Sequence, residues 1–238
     1  MTNEEEHEKM RGYQVGRSCV ARRILQASLF FLVFMAWNSI QIRAQLPSGE
    51  SGSSAQSGDP GGADYKLRRG NNEFAVWGAG SFDAPTLIGN TAYRPTAMLG
   101  LRYGKVVGTT DWATFTYVAD LIPLQVVFDQ EDGQAARRNV YGVGANYGGL
   151  KMSFLRRYRV KPFAGISGGL IVYSRPVPLE GRKLNLTYSL DAGLDIFTGK
   201  RRALTVGYKF YHVSNAFTAK TNVGTNDNMI SLGFSFFR

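Results

Sequence analysis

The chain has 238 residues, 28 of them glycine, with 13% aromatic and 19% charged residues and a formal net charge of +10. A chain of that length holds one large domain, or one domain with appendages, and its glycine and aromatic content suits strands better than helices. The charge does not make it a nucleic-acid binder. Its basic residues fall in short clusters, Arg137-Arg138, Arg156-Arg157-Tyr158-Arg159 and Lys200-Arg201-Arg202, without a basic helix or zinc-ligand spacing. Attraction to anionic phosphate on a membrane surface accounts for them as naturally. The single cysteine, Cys19, precedes the hydrophobic stretch described next. A processed chain would therefore hold neither a disulfide nor a thiolate metal site.

Residues 1–44 read as a secretory signal. Arg22 and Arg23 precede the apolar run Ile24–Trp37, which Gln26 and Ser28 interrupt, and Ala44 offers a small residue for cleavage. The run is short for a spanning helix, which needs about 20 apolar residues; a retained anchor is the alternative. The acidic Glu4-Glu5-Glu6 is unusual for a signal, and Met10 is a second candidate start. Residues 45–70 form a flexible linker, Ser/Gly-rich between Pro47 and Asp64 and too polar there to bury a core. Cleavage after Ala44 would leave His212 as the only histidine, since His7 is the other.

From residue 71 to 238 the chain breaks into eight extended runs, at about 72–80, 94–104, 112–124, 140–153, 160–173, 184–197, 202–214 and 228–237. The sixth sets Leu184, Leu186, Tyr188, Leu190, Ala192, Leu194 and Ile196 against Asn185, Thr187, Ser189, Asp191, Gly193 and Asp195. The last sets Ile230, Leu232, Phe234 and Phe236 against Ser231, Gly233 and Ser235. Long alternating strands predict an all-β fold: an eight-stranded antiparallel transmembrane β-barrel of the bacterial outer membrane. Connections after odd strands are long (81–93, 125–139, 174–183, 215–227) and those after even strands are shorter, which places the 215–227 loop outside the cell. The competing fold is a soluble lipocalin-type barrel with its apolar face turned inward.

Leu204, Val206, Tyr208 and Phe210 share one face of the seventh strand, and His212 and Ser214 continue it. Side chains two apart on a strand lie on one face with Cα atoms about 7 Å apart, within reach of an imidazole–hydroxyl interaction. An imidazole that takes its proton turns serine into a nucleophile, and Asn215 with the following backbone amides are candidates to stabilise an oxyanion. Structural readings compete: such a pair at a barrel rim can simply meet lipid headgroups. Asp191 and Asp195 read as part of an inward polar network, and Asp129, Glu131 and Asp132 as a solvated acidic loop.

His212-Val213-Ser214-Asn215, followed by Asn222-Val223-Gly224-Thr225-Asn226, resembles the outer-membrane lipid A 3-O-deacylases, also called acyloxyacyl hydrolases. Tyr141-Gly142-Val143-Gly144, Lys161-Pro162-Phe163, Ser174-Arg175-Pro176-Val177-Pro178 and Arg202-Ala203-Leu204-Thr205-Val206-Gly207-Tyr208 agree, so the likeness covers about 72–238. It implies a hydrolase that removes the ester-linked 3-hydroxyacyl chain at position 3 of lipid A by Ser/His catalysis, without cofactor or metal. Lipopolysaccharide in the outer leaflet would be its partner. Ser214 and His212 take the family's catalytic positions, and Asn226 falls where the family has an acidic residue. Asn222 and Gly224 join Asn215 as oxyanion or orienting candidates. Asp227 is the alternative acid, although an extended strand turns it to the other face. A non-catalytic structural barrel and an outer-membrane phospholipase are the other functions compatible with these residues.

Overall fold

A computed structural model describes residues 65–85, 94–130, 137–177, 181–218 and 224–238. The expected signal, most of the expected linker, Glu131, Asp132 and Asn222 lie outside the described residues. Eight strands follow one another: β1 (Asn72–Asp83), β2 (Thr96–Thr109), β3 (Ala113–Gln130), β4 (Arg137–Phe154), β5 (Val160–Val177), β6 (Arg182–Gly199), β7 (Arg202–Ser214) and β8 (Thr225–Phe237). Each pairs antiparallel with the next, and β8 pairs with β1, so the sheet closes into a barrel.

The direction of the alternation decides between the two barrel types. On β6, Leu186 and Leu190 are each 44% exposed, while Asn185 and Ser189, the residues just before them, are 2% and 0% exposed. Leu204, Val206 and Tyr208 on β7 and Ile230, Leu232 and Phe234 on β8 likewise point outward. Apolar side chains outside and polar ones inside reverse the lipocalin arrangement. That is the pattern of a barrel whose solvent is hydrocarbon and whose closed ladder satisfies every strand's backbone.

The strands are longer than the sequence pattern predicts. β3 continues to Gln130 and β4 begins at Arg137, with Asp129 opposite Arg138 in the register. The expected 125–139 loop is therefore mostly ladder, because Val126, Val127 and Phe128 keep the alternation going past Pro123. Asp129 consequently ends a strand. β5 and β6 also approach to Val177 and Arg182, so the long–short rhythm is shallower than expected and survives mainly at the β1–β2 and β7–β8 connections.

Eight strands enclose a lumen narrow enough for side chains to fill. Here one part of the filling is ionic, and another is a buried cluster that includes Ile122, Ile171, Tyr173, Tyr211 and Met229. Arg102 grips Asp120 with two bonds, Nε–Oδ1 at 2.8 Å and Nη2–Oδ2 at 2.9 Å, and the Trp77 indole N–H donates to the same carboxylate at 3.0 Å. Lys151 lies 2.7 Å from Asp195 and 3.5 Å from Glu73, and Lys209 lies 2.6 Å from Asp191. Asp191 and Asp195 thus belong to the inward network, as expected. Trp77 fits only because β2 has glycine opposite: a Cβ at Gly100 would stand 2.1 Å from its ring.

One end of the barrel is closed by the residues just before β1. Leu67 is buried against Val106, Phe197, Ala203 and Phe237, and its carbonyl accepts a 3.0 Å bond from Arg156. Lys161 donates to the Tyr65 carbonyl. Tyr65–Gly70, the last part of the expected linker, is therefore packed onto the end bearing the short turns 110–112, 155–159 and 200–201. The opposite end carries His212.

Removing one partner of a buried ion pair strands the other charge, at a cost of about 3–5 kcal/mol, whereas replacing both with apolar residues is often neutral. Asp120→Ala is therefore expected to lower sharply the temperature at which the folded gel band converts to the unfolded one. The double variant Arg102→Met/Asp120→Leu is expected to recover most of that loss.

Candidate active site at the β7–β8 rim

The last turn of pairing between β7 and β8 assembles the site. His212 lies directly opposite Asn226, and Val213 opposite Thr225. Direct partners on one face have Cβ atoms about 4.5–5.5 Å apart. The His212 Nδ1 and Asn226 Oδ1 are 2.7 Å apart. The Asn226 amide nitrogen donates to the Pro85 carbonyl, also at 2.7 Å. That second bond sets the tautomer. A carbonyl only accepts, so the Asn226 NH2 must face Pro85 and its oxygen must face the ring; His212 therefore carries its proton on Nδ1. In the neutral ring the lone pair is then on Nε2.

The Nε2 side of the ring and Ser214 border the same small space beside Gly224. A Cβ there would lie 2.6 Å from His212 Cε1, 3.3 Å from Nε2 and 3.4 Å from the Ser214 Cβ. Only a residue without a side chain lets the chain entering β8 pass so close to both. His212 and Ser214 stay on the outward parity of β7 but are half-buried. Phe210, on that same parity, is 6% exposed against 40% for Tyr208 two residues earlier. The barrel's outer surface is thus sheltered where the pair sits.

Beyond Ser214 the chain turns sharply. The Asn215 carbonyl accepts from the Thr218 N–H at 3.0 Å and from its hydroxyl at 2.7 Å. Ala216 and Phe217 take positive φ, 49° and 62°. Left-handed backbone costs non-glycine residues about 1–2 kcal/mol each, so this turn holds strain immediately after the serine. The Asn215 side chain is 2% exposed and so does not project into the open rim. Asp227 faces the lumen: it pairs in register with the fully buried Tyr211 and bonds to Thr96 and Ser81. The structure thus brings together His212, Ser214, Asn226 and Gly224, and turns Asp227 away from them.

Sequence reasoning missed the anchors. Pro85 holds Asn226 from beyond the end of β1. One strand step further into the wall, Tyr208 donates to Asn228 Oδ1 at 2.5 Å and Asn228 donates to Asp83 at 3.2 Å. Two asparagines, 226 and 228, therefore tie β7 to the end of β1 on the outward face. The available signal was Asn228 itself, an amide on a face otherwise made of Ile230, Leu232, Phe234 and Phe236.

The chain resembles the crystal structure of the outer membrane enzyme PagL, with 20% identity over 70% of this chain and 98% of that one, at a TM-score of 0.49. It also resembles the outer membrane protein OprG from Pseudomonas aeruginosa (9% identity, 73% and 98% coverage, TM-score 0.45). Neisserial surface protein A is a further likeness (12%, 70% and 95%, 0.43). No curated protein matches the chain. The model of the family "Lipid A 3-O-deacylase (PagL)" matches residues 97–235, from the start of β2 to near the end of β8. That span takes in His212, Ser214, Gly224 and Asn226 together, and the chain belongs to the lipid A 3-O-deacylase family.

Proposed function

We propose that this barrel is an outer-membrane esterase that removes the 3-hydroxyacyl chain ester-linked at position 3 of lipid A. Ser214 is the nucleophile, His212 the base and Asn226 the residue that orients the ring. The observation that carries the reading is the Pro85–Asn226–His212 chain of bonds, which holds the ring by Nδ1 and leaves Nε2 to act as base, with the ring and Ser214 bordering one space beside Gly224. Export is assigned to residues 1–44, with the linker up to residue 64 as the tether to the barrel end on which Tyr65–Gly70 pack. The site opens at the extracellular side, a reading supported by the longer connections at its end of the barrel.

The steps follow from those roles. The Ser214 Oγ attacks the ester carbonyl carbon while its proton passes to His212 Nε2. The tetrahedral intermediate collapses as the ring returns that proton to the sugar oxygen, breaking the C–O bond and leaving an acyl-Ser214 ester. A water molecule then repeats the attack, its proton passing through His212, and a 3-hydroxy fatty acid leaves. The candidates for the oxyanion are the backbone N–H groups of the strained turn after Ser214, with Gly224 beside it. Imidazole supplies the base, so the scheme uses no metal ion.

Asn226 performs half of an acid's work. It holds Nδ1–H and thus the tautomer, as asparagine does in Cys-His-Asn sites, but it adds no negative charge against the imidazolium. The same amide explains why a carboxylate is poorly suited here: it would set an anion against the Pro85 carbonyl, where the amide donates a bond.

The deciding experiment is mass spectrometry of lipid A from cells with and without the protein. One 3-hydroxyacyl chain should be lost, and Ser214→Ala should abolish that loss while the barrel remains inserted. Unchanged lipid A with wild-type protein would leave a structural barrel, and fatty-acid release from phospholipid vesicles lacking lipid A would indicate a phospholipase. Asn226→Ala is expected to lower kcat by about 10²-fold or more, because the ring loses both tautomer and orientation. Gly224→Ala pushes on the ring where a misplacement of about 1 Å can cost 10²-fold. Its rate should fall on that scale with the folded gel band intact.

A further inference from the structure

The wall formed by β1–β4, away from the β7–β8 wall that carries His212, contains a depression of about 440 Å³. That is within the range of small-molecule sites, about 300–1,000 Å³. Its floor is small, Ala119 and Ala145, and its sides are Phe74, Tyr103, Leu121 and Tyr147. Three ladder irregularities converge on it, between Leu99 and Leu101, between Val118 and Asp120, and between Ala145 and Gly148. Such bulges bend the strand that carries them, and together with the two alanines they hollow the wall. The Tyr117 hydroxyl donates to the Tyr147 carbonyl and braces its edge.

The hollow has a polar end. Lys105 follows Tyr103 by two residues on β2, so both project outward, and it lies between Asn72 of β1 and Tyr117 of β3 in the register. The Tyr103 hydroxyl donates to the Asn72 side chain at 3.0 Å. Lys105 is exposed and pairs with no carboxylate among the described residues. It stands on the side of the hollow nearer the short β2–β3 turn, the end opposite His212. A cation at the membrane edge, an aromatic collar and an apolar notch running deeper into the wall match an amphiphile with a phosphate head and a hydrocarbon tail.

We propose that this hollow binds one anionic glycerophospholipid, with an acyl chain over Ala119 and Ala145 and its phosphate on Lys105. The occupant enters from the leaflet opposite the one His212 faces, which distinguishes it from the substrate lipid. The site is independent of the esterase chemistry, so either assignment can fail without the other.

The test uses the full-length protein folded into bilayers of phosphatidylcholine and phosphatidylglycerol, extracted in mild detergent and weighed by native mass spectrometry. Wild type is expected to retain one phosphatidylglycerol per barrel. Ala119→Leu/Ala145→Leu fills the notch and should cut retention about ten-fold, since packing is what holds a chain against a wall already bathed in hydrocarbon. Lys105→Gln leaves the notch intact and should lower the preference for phosphatidylglycerol about five-fold, the worth of one cation at an anionic surface. Ser214-dependent hydrolysis should be unchanged in both. Equal retention by wild type and the filled variant, no preference for the anionic lipid, or displacement of that lipid by lipid A in a mixed bilayer would overturn the proposal. If the filled variant does not fold, the Lys105→Gln comparison decides alone.

Discussion

Closure of the sheet is the constraint on which everything else depends. In hydrocarbon a strand edge has no water to satisfy it, so β8 must return to β1, and it does, from Glu73–Phe237 to Asp83–Asn228. Eight strands make the smallest such circle, too narrow for a water-filled channel. Its interior is occupied by Arg102, Lys151 and Lys209, held by Asp120, Asp195, Glu73 and Asp191, and by a buried cluster around Ile122, Ile171, Tyr211 and Met229. A lumen filled in this way has no room for a lipid substrate. The proposed chemistry on a lipid must then be done on the outer surface, which is the face that His212 and Ser214 take on β7.

In the proposed reaction the base sits on a lipid-facing wall, which creates a second problem, because nothing behind it holds the ring. The answer is a bond network running along the outside of the sheet. Asn226 joins His212 to Pro85, and Asn228 joins Tyr208 to Asp83, so the end of β1 serves as the support for residues two strands away. An amide suits this position because it accepts from one neighbour and donates to the other. The consequence is a site strong in geometry and weak in charge: the orientation of the imidazole is secured, while its bonding partner is a neutral amide and not a carboxylate. Asp227, the nearest in sequence, is spent inside the barrel on Thr96 and Ser81.

Much of the fold was legible in the chain because a strand's side-chain period is two and the bilayer imposes a strict inside–outside contrast. β6 and β8 were readable from their alternation alone, and the pair His212 and Ser214 stood out as polar residues continuing an apolar parity. The ends of β3 and β4 were not, since Pro123 and the charged Asp129, Arg137 and Arg138 resemble loop residues. Only pairing with a neighbour reveals that they continue the ladder. The roles of Gly224 and Pro85 were hidden for a related reason: one matters through the space it leaves and the other through a backbone carbonyl, and neither is a property of a residue type.

Taken by itself, then, the sequence determined the number of strands, which side chains share a face and that His212 and Ser214 lie on one face, all of which follow from local alternation. Whether the apolar face turns in or out, which residue holds the imidazole and on which nitrogen its proton rests were decided by tertiary structure alone. Each depends on contacts between strands far apart in the chain: β8 folding back onto β7 to set Asn226 against His212, and β1 arriving from 141 residues earlier to fix the amide through Pro85.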